Sequence, residues 1–176
     1  MADVELISSL VRDVPDFPNP GVMFKDITPL IASPRGFCEA VKAMVESSPR
    51  DIDVVVGMEA RGFIFAAPVA LALGVGFVPV RKPGKLPGKT FTETFALEYG
   101  QDSLAVHQDA IPHGGRALVI DDVLATGGTI SATAGLLKQL GAELVHVTVL
   151  MELGFLDGRA RLMSEGIDSC AAVLQA

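Results

Sequence analysis

Val119-Ile120-Asp121-Asp122-Val123-Leu124-Ala125-Thr126-Gly127-Gly128-Thr129 is the stretch on which the reading of this chain turns. An apolar run ends in two adjacent carboxylates, a small Gly-rich turn follows, and a helical pattern begins. Arg116 to Asp122 reads as a strand buried on both faces. Thr129 to Leu140 reads as a helix, with Gly141 closing it. The turn offers unblocked backbone N–H groups and hydroxyls at a helix N-terminus, which makes a phosphate cradle. Gly127 and Gly128 permit close backbone approach. Asp121 and Asp122 would repel a phosphate but accept hydrogen bonds from sugar hydroxyls. The combination reads as a grip for a ribose phosphate. The spacing departs from G-x-x-x-x-G-K-[ST] and no Lys follows, which disfavours a nucleoside triphosphatase. The plainer alternative is a strand–turn–helix corner with solvated aspartates.

Working outward, strands and helices alternate. Asp53–Gly57 (DVVVG) is a buried strand, Gly62–Leu73 a helix and Phe77–Val80 a short strand. Leu144–Glu152 and Ser169–Leu174 read as strands, with a weak helix at Gly158–Glu165 between them. Upstream, Glu5–Val14 reads as a short amphipathic helix, followed by a stiff Phe17-Pro18-Asn19-Pro20-Gly21 loop. Pro34–Glu46 reads as a helix with Ser33 as its N-cap. Residues 81–100 break the pattern with Pro83, Gly84, Pro87, Gly88 and Gly100, and read as a mobile surface loop of the kind that often acts as a lid. Apolar strands alternating with helices predict an α/β fold, a parallel sheet wrapped by helices. Ligands then bind outside the carboxyl ends of the strands.

With 176 residues, 49% of them hydrophobic and 20% charged, the chain suits a single domain over 1–176 with a substantial core. Cys38 and Cys170 lie far apart, and His107, His113 and His146 are scattered, so neither a disulfide framework nor a metal motif is expected. A net charge of −7 and a pI near 4.9 argue against nucleic-acid binding. The mean hydropathy of +0.44 calls for a membrane check. The longest uncharged stretch, residues 62–80, approaches a bilayer span, but Pro68, Gly74, Gly76 and Pro79 interrupt it. A buried helix, a turn and a strand account for it better, so no membrane association is expected. The N-terminus lacks a signal-peptide pattern, and the expected location is cytoplasmic. The apolar content points to an interface hidden in a homodimer.

VIDDVLATGGT resembles the PRPP (phosphoribosyl diphosphate) motif of the type I phosphoribosyltransferases. FPNPGVMFKDITPL (17–30), MEARGFIFAAPVA (58–70), VRKPGKLPGKT (80–90) and ALEYGQDSL (96–104) are similar to segments of that family, in the family's order. The PRPP motif specifies the superfamily, and RKPGKLP and EYG narrow it to the adenine-specific branch. The resemblance covers about residues 10 to 170.

The resemblance implies a type I phosphoribosyltransferase fold with an N-terminal hood (1–33) and a flexible catalytic loop (81–100). It implies transfer of the 5-phosphoribosyl group of PRPP to adenine, giving AMP and pyrophosphate. Mg²⁺ would be carried mainly by the substrate oxygens. Asp121 and Asp122 would hold the ribose hydroxyls, and Ala125, Thr126, Gly127, Gly128 and Thr129 the 5′-phosphate. The Glu59-Ala60-Arg61 turn would take the pyrophosphate through a non-proline cis peptide at Glu59–Ala60. Arg61 begins a helix, where a cation is unfavourable unless an anion accompanies it. Lys82, Lys85 and Lys89 would neutralise the leaving group, and Lys85 or Arg61 would reach a neighbouring subunit. Glu98 would act as general acid/base at the purine, with Tyr99 capping the closed site. Met23, Phe24 and Lys25 would form the hood over adenine, Phe24 stacking on the base, with Val123 on the opposite face. Taken alone, Phe24 reads as core and Leu97-Glu98-Tyr99 as an ordinary strand. Lys25, Ala60 and Val123 stand where many relatives carry Arg, Ser and Leu. The other reading of such a site is a PRPP-sensing regulator on the same fold.

Overall fold

The computed structural model describes residues 1–96 and 100–176. The chain opens with α1 (Val4–Ser9), β1 (Arg12–Pro15), β2 (Met23–Asp26) and α2 (Thr28–Ala32). It continues through α3 (Pro34–Glu46), β3 (Val54–Met58), α4 (Arg61–Leu73) and β4 (Gly76–Val80). Then come β5 (Thr90–Ala96), β6 (Gln101–His107), β7 (Arg116–Leu124) and α5 (Gly128–Leu140). The last elements are β8 (Glu143–Glu152), a 3-10 turn at Gly154–Leu156, α6 (Gly158–Ser164) and β9 (Cys170–Gln175).

Five strands form a parallel sheet in the order β4-β3-β7-β8-β9. From β3 the chain moves outward to β4 and later returns on the other side of β3 as β7. Connections from these two neighbours therefore depart in opposite directions and leave a crevice at their carboxyl ends. Both sheet faces are covered, which is why β3 and β7 read as continuous apolar runs. Val55, Leu118 and Ile120 pack with Met44 of α3 and Phe65 of α4 on one side. Val54, Val56 and Val119 pack with Ile130 and Leu136 of α5 and Leu104 of β6 on the other. Phe65 is fully buried, a contribution of about 1.5–3 kcal/mol from its apolar area. The Ser33 hydroxyl accepts the Gly36 N–H at 3.1 Å and starts α3, as its sequence position predicts.

Three expectations need correction. The N-terminal helix stops at Ser9, because Arg12–Pro15 pairs antiparallel with Met23–Asp26. Asp26 anchors that ribbon. The Thr28 N–H, then the Arg12 guanidinium, hold its carboxyl down at about 2. Second, residues 81–100 are not loop throughout. Thr90–Ala96 pairs with Gln101–His107. Phe91 and Phe95 alternate with Thr residues and pack against the core on the α5 side. Third, the strand expected to end at Asp122 continues to Leu124, because β8 extends far enough to pair Val123 with Met151 and Leu124 with Glu152.

Glu152 is buried at the end of β8 and holds α6 in place. Arg159 donates to it through Nε at 2.9 Å and Nη2 at 2.5 Å, while Arg159 Nη1 donates to the Cys170 carbonyl at 2.7 Å. One guanidinium thus joins α6, β8 and β9. Among the described residues, no helix is long and apolar enough to cross a membrane.

Candidate functional site

The carboxyl ends of β3 and β7 open onto two cavities that share a wall. The first, of about 240 Å³, is lined by Glu59, Ala60 and Arg61 after β3 and by the continuous stretch Asp121–Ile130. The second, of about 400 Å³, lies between Gly21–Lys25 and Ile27 on one side and Val123, Met151, Leu153, Phe155 and Leu156 on the other. Arg61, Asp122 and Val123 line both. Arg61 Nε donates to Asp122 Oδ2 at 2.9 Å, so the anion that a cation needs at the start of α4 is Asp122. The Arg61 guanidinium carbon also lies 5.5 Å from the centre of the Phe24 ring, within cation–π range.

Gly127 has φ +80°, a left-handed conformation that turns the chain into α5 without a side-chain cap. The first N–H groups of α5 therefore keep their donors available at the cavity. The Glu59–Ala60 peptide is cis, as the resemblance implies. Glu59 itself is held through its carboxylate by the Arg81–Lys82 segment. Burial pushes its carboxyl up, but the Lys82 N–H, the Arg81 guanidinium (3.3 Å) and the charge of Lys85 outweigh this and hold it below the usual range.

Burial raises the Asp121 carboxyl well above the ordinary carboxylate range, and the charge of Asp122 adds to this. Burial also raises Asp122, although the Arg61 charge opposes it. Asp121 accepts the Asp122 N–H at 2.9 Å and lies over Gly62, where an added methyl would come within 2.7 Å of its Oδ1. A carboxyl with a higher pKa folded than unfolded stabilises the fold fully below its unfolded value, and that contribution fades as pH rises through its folded value. The Tm of the wild type is thus expected to fall relative to Asp121→Asn as pH climbs above about 4. Thermal melts at closely spaced pH values check this; a gap that stays constant with pH contradicts it.

The structure brings most of the expected residues together. Glu59, Ala60, Arg61, Asp121, Asp122, Val123, Ala125, Thr126, Gly127, Gly128 and Thr129 line the first cavity. Met23, Phe24, Lys25 and Val123 line the second. Lys82, Lys85 and Lys89 are not among the lining residues of either. Lys82 Nζ is ion-paired with Asp102, the Lys85 N–H donates to the Lys82 carbonyl within a turn, and Lys89 lies beside His107 and Asp109. The expected acid/base Glu98, with Leu97 and Tyr99, lies outside the described residues. Sequence reasoning missed Met151, Leu153, Phe155 and Leu156. Their signal was an apolar run continuing past a strand end, on the same edge of the sheet as the Gly-rich turn. Leu153 is fixed there by its N–H, which donates to the Leu124 carbonyl at 2.9 Å.

Among the described residues, no three His, Cys, Asp or Glu side chains converge as a metal cage. Asp122 is charge-paired with Arg61, and Asp121 accepts the Asp122 N–H. Together they do not make the oxygen-rich octahedral shell that Mg²⁺ requires.

Comparison with known proteins agrees with this geometry. A family model described as the phosphoribosyl transferase domain matches residues 34–167. A curated relative from Cutibacterium acnes, named adenine phosphoribosyltransferase, is 62% identical over 170 residues, spanning 97% of this chain and 96% of its own. A crystal structure of adenine phosphoribosyltransferase from Thermoanaerobacter pseudethanolicus superposes with a TM-score of 0.94 at 44% identity, covering 99% of this chain and 100% of that one. The Saccharomyces cerevisiae enzyme, solved with adenine and an imino-altritol bisphosphate, matches with a TM-score of 0.90 at 40% identity, covering 97% and 98%.

Proposed function

The chain belongs to the phosphoribosyl transferase family, among the adenine phosphoribosyltransferases, and from that premise we propose that it is a purine-salvage enzyme transferring the 5-phosphoribosyl group of PRPP to adenine. The products are AMP and pyrophosphate. One observation carries this reading: an apolar slot and a Gly-rich turn at a helix N-terminus meet at a shared Arg61–Asp122 wall, which would suit base, ribose and phosphate in that order.

In this reading Ala125–Thr129 hold the 5′-phosphate through backbone N–H groups and hydroxyls, and Asp121 and Asp122 accept hydrogen bonds from the ribose hydroxyls. Adenine occupies the slot between Phe24 and Val123, with the backbone around Met23 and Lys25 reading its edge. Stacking on one aromatic ring is worth about 1–3 kcal/mol per base. As the C1′–oxygen bond to pyrophosphate breaks, the ribose becomes oxocarbenium-like and the purine nitrogen bonds to C1′. Arg61, with Glu59 and Ala60 shaping the turn, stabilises the departing pyrophosphate. Lys82, Lys85 and Lys89 join it when the 81–100 segment closes and excludes water. Glu98 takes up the proton that the purine nitrogen releases on bonding to C1′. Mg²⁺ bound to PRPP would supply charge neutralisation on the diphosphate. We take the chain as one domain, with 1–33 as the hood, acting in the cytoplasm as a homodimer. Leu71, 82% exposed on α4, supports a hidden apolar interface, and light scattering should find a species of twice 18.4 kDa.

The test is product formation from Mg²⁺, PRPP and each purine base in parallel, resolved by chromatography. AMP from adenine alone is the expected result. Turnover of another base overturns the base assignment. No turnover, combined with thermal stabilisation by PRPP, favours the sensor reading.

A further inference from the structure

The Gly-rich turn has a second side, away from the first cavity, and α6 fills it. A methyl added at Gly158 would lie 2.1 Å from the Ala125 carbonyl oxygen, so α6 rests directly on the turn's backbone. A methyl on Gly127 would lie 3.6 Å from Arg161 Cδ, and one on Gly128 would lie 3.4 Å from Arg161 Nη1 and 3.2 Å from the Phe95 ring. The Arg161 side chain therefore packs against Gly127 and Gly128, the same two residues that line the first cavity.

The charge distribution gives this placement a consequence. Ala125–Thr129 carries no Lys or Arg, in a chain of net charge −7 whose cavity includes Asp121 and Asp122. Nearby cations face carboxylates: Arg61 pairs with Asp122, Arg81 with Glu59 and Lys82 with Asp102. Among the described residues, Arg161 is the cation that the glycine contacts place against the turn itself. Its own partner, Glu165, stands on the same helix with Oε1 3.1 Å from Arg161 Nε, and both side chains are partly exposed.

We infer that Arg161 is a positioning residue for the 5′-phosphate of the substrate. It acts through the Gly127–Gly128 backbone, placing positive charge behind the N–H groups that receive the dianion, and Glu165 tempers that charge. The inference rests on the PRPP reading above. It yields opposite signs for two substitutions. Removing the cation weakens the hold on PRPP, whereas removing the carboxylate beside it strengthens that hold. A helix that merely braces the turn would show lower Tm for both substitutions and no opposed shift in KM.

The experiment measures KM for PRPP, KM for adenine and kcat for the wild type, Arg161→Gln, Arg161→Lys and Glu165→Gln, each at low and high salt. Arg161→Gln is expected to raise KM for PRPP by about three- to tenfold, the scale of one nearby charge that is partly exposed and screened by solvent. KM for adenine and kcat should stay within about twofold, and Arg161→Lys should restore most of the loss. Glu165→Gln should lower KM for PRPP, and all these differences should shrink in high salt. An unchanged KM for PRPP in Arg161→Gln, or both Gln variants shifting it in one direction, overturns the role of Arg161 while an active wild type leaves the function standing. A wild type that neither binds nor consumes PRPP removes both. If Arg161→Gln does not fold, Glu165→Gln decides alone: a KM for PRPP that rises or stays level overturns the inference.

Discussion

Replacing Asp121 and Asp122 together with asparagine is expected to lower kcat/KM for AMP formation by about two to four orders of magnitude, with Tm unchanged or raised. Each carboxylate would accept a hydrogen bond from a ribose hydroxyl. Charge-assisted bonds of this kind contribute about 1.5–3 kcal/mol apiece, and the electron-poor ribose of the transition state strengthens them. Stability moves the other way. Both carboxyls are buried, and burial disfavours their charged forms. An amide of the same shape removes that penalty and the mutual repulsion. The loss of the Arg61–Asp122 pair offsets little, because the Arg61 side chain is 42% exposed. Steady-state kinetics and a thermal melt on one preparation check both halves. Activity within tenfold of the wild type contradicts the ribose assignment, and a collapse in Tm would recast the pair as structural.

Gly158→Ala should also be damaging, to stability as well as to substrate binding, for a different reason. The new methyl meets the Ala125 carbonyl oxygen at 2.1 Å and the Leu124 side chain at 2.9 Å. The first is backbone and cannot swing aside. Either α6 lifts, against the Arg159–Glu152 pairing that fastens it, or the Gly-rich turn deforms. Overpacking of this sort costs about 1–3 kcal/mol, which for a chain of this size lowers Tm by about 3–10 °C. KM for PRPP should rise by about tenfold or more as the N–H groups lose their alignment. Gly154→Ala is the control, since nothing lies within 4 Å of a methyl there, and its Tm should match the wild type. Equal melting of the two variants would contradict the tight contact between α6 and the turn.

The parallel sheet was legible because its strands are buried on both faces. DVVVG and RALVIDD have no amphipathic alternative, and Gly141, at φ +71°, ends α5 where its sequence position says it should. The phosphate turn was legible for the same reason: it is a local feature of contiguous residues. What escaped was pairing between distant residues. Arg12–Pro15 becomes a strand only because Met23–Asp26 lies beside it, and no local pattern reveals that partner. Thr90–Ala96 was obscured by the Pro and Gly residues flanking it, although Phe91, Glu93 and Phe95 alternate with threonines. Their common face meets α5, where Gln139 donates to Glu93 at 2.6 Å. The apolar slot was half visible. Phe24 and Val123 were expected, whereas Leu153 and Phe155 enter from a segment whose relation to them exists only after folding.

The β1–β2 ribbon is a two-stranded sheet of its own, and among the described residues no ladder joins it to the five-stranded one. It carries Met23, Phe24 and Lys25, and it lies before Pro34, where the shared phosphoribosyl transferase domain begins to match. In the proposed reading, one wall of the base slot is thus written in a passage separate from the five-stranded sheet, while the other wall, from Val123 to Leu156, is not. Changes in the first 33 residues would then reshape that one wall without shifting the register of the five-stranded sheet.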